Sequence, residues 1–176
     1  MKINEAIICV SLIFLSIQIH GQDFRFNGMA RYTSRNEFEN NMSRMNFDFE
    51  KYDSRGALAF KGRFLNNTYN CLIIGFFTDS KLKRITISYL LPRIDFYGKL
   101  PFYELLVKIM TYEYGSPTQA IIDVAKDINS LKYFEILKNQ VEKDGYNYFF
   151  TIWENNTSSV FLQMKEEEIQ INYSYE

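Results

Sequence analysis

Histidine and cysteine are nearly absent from this chain, which has one histidine and two cysteines among 176 residues. His20 and Cys9 lie in the amino-terminal segment described below, so Cys71 is the sole residue of either type beyond it. Catalysis by a nucleophile with a histidine base needs an imidazole, and zinc sites favour His and Cys ligands. We therefore expect a protein that is not an enzyme of these kinds, with no metal, no cofactor and no internal disulfide.

Glycine and net charge are also scarce. The chain has 8 glycines, which form no phosphate-binding loop, and 20 basic residues against 21 acidic residues. Such a balance gives no general electrostatic attraction to nucleic acid or to an anionic membrane, so we expect neither as a partner. Aromatic residues are plentiful, with 16 Phe and 13 Tyr, and 47% of the chain is hydrophobic. This composition predicts a packed core.

Residues 1–21 have the organisation of a secretory signal peptide. Lys2 precedes an apolar run from Ala6 to Ile19, and the small residue Gly21 follows. The run is shorter than the about 20 residues of a membrane-spanning helix, which disfavours the alternative of an uncleaved anchor. A lipoprotein would carry its cysteine at the cleavage point, whereas Cys9 lies inside the run. We predict cleavage after Gly21 and export of residues 22–176 to the periplasm or the cell exterior.

The sequence of residues 22–176 predicts two units in which helices and strands follow each other in a similar order. Ser34 and Glu37 form a capping box that starts a first helix, and Pro101 and Gly115 bracket a second helix. Period-two alternation of apolar residues predicts three strands after each helix. The predicted helices cover 35–45 and 99–114, and the strands cover 58–64, 71–78, 85–91, 146–153, 160–164 and 169–175.

We predict an α+β fold in a single domain over 22–176. Two helix-plus-three-stranded-meander repeats, about 30–92 and 99–176, form an antiparallel sheet with the helices packed on one face. An insertion at 118–144 is expected to hold an extended piece near Ala120 to Ile122 and a further helix near 131–142. Cys71 lies in an apolar strand and is expected to pack in the core.

Three short motifs resemble a group of uncharacterised exported proteins of Gram-negative bacteria. They are Phe60-Lys61-Gly62-Arg63-Phe64, Tyr114-Gly115-Ser116-Pro117 and the strand from Tyr148 to Trp153. The order of elements is also similar to the tandem-repeat fold of the β-lactamase inhibitor protein. That similarity implies a protein-binding surface, although fold alone does not carry function.

The candidate binding residues are aromatic and basic. Phe149 and Trp153 share one face of a strand, and Phe150 and Ile152 lie on the opposite face. If the helices cover Phe150 and Ile152, then Phe149 and Trp153 lie on an open face. Phe161, Lys61 and Arg63 are expected to join them, since aromatic and arginine side chains are common in interface hot spots. The alternative is that the insertion helix covers this face and makes it a second core.

Three functions follow from these observations. The first is a non-catalytic module that binds another protein in the bacterial envelope or outside the cell. The second is a small-molecule or glycan-binding domain that uses Trp153 and nearby tyrosines as an aromatic platform. A carboxylate-dependent hydrolase is the third, although nothing in the sequence brings two carboxylates together.

Overall fold

The computed structural model describes residues 23–52, 56–64, 69–91, 94–120, 139 and 149–176. The predicted signal peptide and the predicted helix near 131–142 lie outside the described residues. Within the described part, the helices are α1 (Arg35–Arg44) and α2 (Phe96–Tyr114), and neither is long and apolar enough to cross a membrane. The strands are β1 (Asp48–Tyr52), β2 (Leu58–Phe64), β3 (Tyr69–Thr78), β4 (Lys81–Leu90), β5 (Gln119–Ala120), β6 (Phe150–Glu154), β7 (Ser158–Met164) and β8 (Glu168–Tyr175).

The strands form one eight-stranded sheet in the order β1-β2-β3-β4-β8-β7-β6-β5. Every neighbouring pair is antiparallel, which confirms the predicted α+β class with an antiparallel sheet. Strand β1 was not predicted, whereas β5 overlaps the extended piece that was expected near Ala120 to Ile122. Each follows a helix directly and pairs with the first strand of the following meander.

Helix α1 begins as the sequence predicts, because its first turn satisfies its own backbone amides. The Ser34 hydroxyl accepts from the amide of Glu37, and the Glu37 carboxylate accepts from the amide of Ser34 at 2.8 Å. Phe38 is fully buried and its ring contacts Phe60 of β2, with ring centroids 5.9 Å apart. A Cβ at Gly75 of β3 would lie 2.7 Å from the Phe38 ring, so the close approach of α1 to the sheet requires glycine there.

Helix α2 starts three residues before the predicted Lys99. Asp95 is its N-cap, and the carboxylate accepts from the amide of Gly98 at 2.9 Å. Pro101 therefore lies inside the helix instead of in its first turn. The predicted end is confirmed at Gly115, whose φ of 81° favours glycine.

The core lies between the helices and one face of the sheet, which we call the inner face. In register, its central row is Phe60, Ile73, Ile87, Ile171 and Leu162, and all five are buried. Cys71 is also buried on this face, as predicted.

One charged side chain enters the core region. Lys99 of α2 is 1% exposed, and its ammonium donates to the carbonyls of Lys165 and Glu166 in the turn between β7 and β8. Desolvation lowers the pKa of Lys99, and the nearby Glu166 carboxylate opposes that shift. The lysine thus links the start of α2 to the last hairpin of the sheet.

Candidate functional site

The structure divides the five predicted binding residues between the two faces of the sheet. Phe149 and Trp153 are 2% and 1% exposed and lie on the inner face. The prediction that they occupy an open face is therefore wrong. Phe161, Lys61 and Arg63 lie on the opposite face, which we call the outer face.

Contacts with α2 explain why Phe149 and Trp153 point inward. The ring of Tyr103 lies 5.0 Å from that of Phe149, and its hydroxyl is 2.9 Å from the Thr151 hydroxyl. The Trp153 indole N–H donates to the carbonyl of Gly115, at the end of α2, at 3.0 Å. Strand β6 is apolar on both faces, so alternation alone could not decide which set faces the helices.

Phe161 of β7 contacts an aromatic residue of the neighbouring strand. Its ring stacks on Phe150 of β6 with centroids 5.4 Å apart and an interplanar angle of 23°. Ile152 lies directly opposite Phe161 in the register, and all three side chains are partly exposed. The outer face therefore carries an accessible aromatic cluster where sequence reasoning had expected covered residues.

Lys61 and Arg63 lie at the other end of the outer face. Both are exposed on β2, and four strand steps separate β2 from β7, which corresponds to about 19 Å. The structure thus places Lys61, Arg63 and Phe161 on one face without bringing the basic pair into contact with the aromatic residue.

A ladder of polar side chains runs along β4 and β8 between these two regions. The Thr86 hydroxyl donates to the Asn172 side-chain carbonyl at 2.8 Å, and the Asn172 amide donates to Gln170 at 3.1 Å. The Gln170 amide donates to the Ser88 hydroxyl at 3.3 Å. Sequence analysis identified the polar positions of these strands but did not single them out. The signal was their alternation with the apolar inner-face residues.

Strand β3 adds a second aromatic contact to the outer face. The Arg84 guanidinium of β4 lies over the ring of Phe76, 4.0 Å from its centroid. In the register, Phe76 lies directly opposite Arg84. An arginine in such a cation–π contact keeps its positive charge and can also attract an anionic group on a partner.

The chemistry of the described residues is that of a surface for contact. No group of three or more His, Cys, Asp or Glu residues among them is arranged to hold a metal ion. Burial raises the pKa of the Cys71 thiol, which keeps it protonated and unreactive at neutral pH. The outer face instead offers aromatic rings, amides, hydroxyls and cations.

Comparison of the chain with protein families, curated proteins and solved structures finds no match. The candidate site therefore stands on the geometry of this chain alone.

Proposed function

We propose that the chain is a non-catalytic exported protein that binds another protein through the outer face of its sheet. The observation that supports this most is the composition of that face. Partly exposed aromatic residues, an arginine over a phenylalanine and a hydrogen-bonded polar ladder share one surface. Aromatic and arginine residues are enriched at protein interfaces. The setting is the bacterial envelope or the cell exterior, as the leader at 1–21 indicates.

The burial of Trp153 argues against a glycan-binding role in which this residue stacks on a sugar. A sugar stacks on an accessible ring, whereas Trp153 is buried beneath α2 and holds the Gly115 carbonyl. The protein-binding role does not depend on this residue.

We also infer that the sheet was built from a tandem repeat with a pseudo-twofold axis between β4 and β8. The strand order reads symmetrically outward from that pair, with a helix preceding four strands in each half. Ile87 and Ile171 lie directly opposite each other in the register. A twofold axis between them relates the β4 residue that lies a given number of positions from Ile87 to the β8 residue that lies the same number of positions from Ile171. Inner-face residues related in this way are identical in three consecutive pairs: Ile85 and Ile169, Ile87 and Ile171, Tyr89 and Tyr173.

Site-specific photo-crosslinking in cells tests the proposed function. A benzoylphenylalanine that replaces Phe161 on the outer face should crosslink to a discrete protein. The matched control replaces Tyr112 of α2, which is 89% exposed and belongs to neither sheet face. Crosslinking that is absent at 161, or identical at 161 and 112, would refute a specific outer-face interface.

Mass spectrometry of the exported product tests the compartment in the same cells. The expected amino terminus is Gln22. An intact leader in the fractionated protein would contradict the predicted cleavage.

A further inference from the structure

An apolar line runs along the outer face of β3. Leu72, Ile74 and Phe76 occupy successive outer positions and are all partly exposed. The line spans four residue steps of an extended strand, which is about 13 Å. It is long enough to accept three alternating side chains of another extended segment.

Cations border this apolar line on both sides. Lys51 of β1 and Lys61 and Arg63 of β2 lie on one side, and Arg84 of β4 lies on the other. All four are exposed, and the structure gives none of them an ion-pair partner among the described residues. Two exposed acidic residues lie on β1 nearby: Asp48, which is opposite Lys61 in the register, and Glu50, which lies at the register shift of this strand. We call Leu72, Ile74, Phe76 and the four cations the basic trough.

The other half of the outer face has a different charge. On β6 to β8 its charged side chains are Glu154 and Glu168, together with Lys165 in the turn. Lys165 is already engaged, since its ammonium donates to Glu168 at 3.1 Å and to Gln170 at 2.8 Å. Among the described strand residues of the outer face, the basic residues without an ion-pair partner therefore lie in the half that contains β3.

The fold itself gives no reason for this asymmetry. Exposed cations contribute little to stability, and the half formed by β5 to β8 takes the same strand order without them. A cluster of unpaired cations around an apolar line instead matches a ligand that is both acidic and aliphatic.

We infer that the basic trough binds an extended, acidic and aliphatic peptide segment of the partner protein; this inference rests on the proposed function. Every second side chain of such a segment faces the sheet, so aliphatic residues at these positions can contact the β3 line. Carboxylates at the sheet-facing positions before and after them can reach the bordering lysines and arginines. Arg84 is exposed and lies over the Phe76 ring, and its guanidinium can donate charge-assisted hydrogen bonds to a carboxylate. An anionic membrane is less suitable, because the apolar line is half-buried between the cations and does not protrude from the sheet.

Selection from a displayed library of random twelve-residue peptides tests the inference with the purified exported chain. Peptides selected by the wild type should be enriched in Asp and Glu on either side of a stretch that contains Leu, Ile and Val. The double variant K61E/R63E should weaken their binding by about tenfold or more, because two attractions become repulsions. The matched control K108E changes an exposed lysine of α2, away from the sheet faces, and should leave binding within about twofold of the wild type.

Several results would overturn the inference. Selected peptides that are not enriched in acidic residues would contradict it. Equal losses of peptide-binding affinity in K61E/R63E and K108E would also contradict it. Binding of phosphatidylglycerol vesicles that depends on Lys61 and Arg63, without peptide enrichment, would assign the trough to a membrane. Self-association abolished by K61E/R63E in sedimentation velocity would assign it to a second copy. Circular dichroism of each variant confirms that the fold is retained.

The same variants separate this inference from the proposed function. If the crosslink at position 161 persists in K61E/R63E and the peptide selection fails, the outer face still binds a protein while the trough plays no part. Loss of every crosslink at 161 in the wild type removes the proposed function itself.

Discussion

Replacement of Trp153 by alanine tests the most consequential assignment in the structure, the burial of this side chain beneath α2. Trp153 is 1% exposed, and its indole N–H donates to the Gly115 carbonyl at 3.0 Å. The substitution removes the buried ring, leaves a cavity and orphans that carbonyl. Losses for buried tryptophan are about 3–5 kcal/mol, a large part of the about 5–15 kcal/mol that stabilises a typical domain.

Urea denaturation followed by far-ultraviolet circular dichroism measures this loss. With a slope of about 2 kcal/mol per molar urea, the midpoint should fall by about 1.5–2.5 M. Tyr112→Ala is the matched control, since Tyr112 is 89% exposed and its removal should change the free energy of unfolding by less than about 0.5 kcal/mol. A loss below about 1 kcal/mol for Trp153→Ala would refute the burial and restore the open-face assignment. Because Trp153 is the sole tryptophan, its fluorescence gives a second test: emission from the folded wild type should be blue-shifted and resist acrylamide.

Three further predictions concern the local interactions that build the fold. Tyr103→Phe should lower the free energy of unfolding, measured by urea denaturation, by about 1 kcal/mol, because the hydroxyl contact with Thr151 is lost. Thr151→Val should lower it less in the Tyr103→Phe background than in the wild type. Additive losses in the double variant would contradict the contact. Hydrogen bonds from Ser34 lower the pKa of Glu37, so this carboxylate stabilises the fold above its unfolded pKa, and the contribution is lost as the pH falls through the folded pKa. The stability difference between wild type and Glu37→Gln should therefore shrink on acidification, and a difference that stays constant from neutral to acid pH would contradict it. Burial raises the pKa of Cys71, so the thiol should react with Ellman's reagent in guanidinium chloride but not in the native protein, and rapid native reaction would place it at the surface.

The elements that sequence reasoning predicted well are those specified by local chemistry. The capping box of Ser34 and Glu37 sets the start of α1 within four residues of chain, and the glycine at 115 sets the end of α2. Strand β8 was predicted because its apolar and polar residues alternate without interruption, and its burial alternates in the same way. In each case the information lies within a single element.

The strand that was missed depends on contacts between distant segments. Strand β1 consists of Asp48, Phe49, Glu50, Lys51 and Tyr52, which is too polar to signal a strand and forms one only by pairing with β2. The start of α2 was misplaced because Pro101 was expected in its first turn, whereas the helix is capped by Asp95 and Pro101 lies inside it. Strand β1 is decided by tertiary pairing, which overrides local preference, whereas the start of α2 is set by the local cap of Asp95.

The same distinction explains the error at the candidate site. Strand β6 offers Phe149 and Trp153 on one face and Phe150 and Ile152 on the other, so a shift of one residue exchanges two equally apolar sets. The choice is made by Tyr103 and Gly115, which are far away in sequence and which hold Phe149, Thr151 and Trp153 against α2. Sequence reasoning therefore identified an aromatic-rich strand but expected the wrong aromatic residues on its exposed face.

The pairs related by the proposed twofold axis separate what folding requires from what it leaves open. Across β4 and β8, the three inner-face pairs are identical, whereas the outer-face residues between them differ, with Thr86 related to Gln170 and Ser88 to Asn172. The inner face must fill a fixed volume against the helices, so its residue types are constrained. The outer face carries no such requirement, and in one half it carries unpaired cations around the apolar line of β3. Since neither packing nor the strand order demands that arrangement, the charge of the basic trough is best explained by what the protein binds.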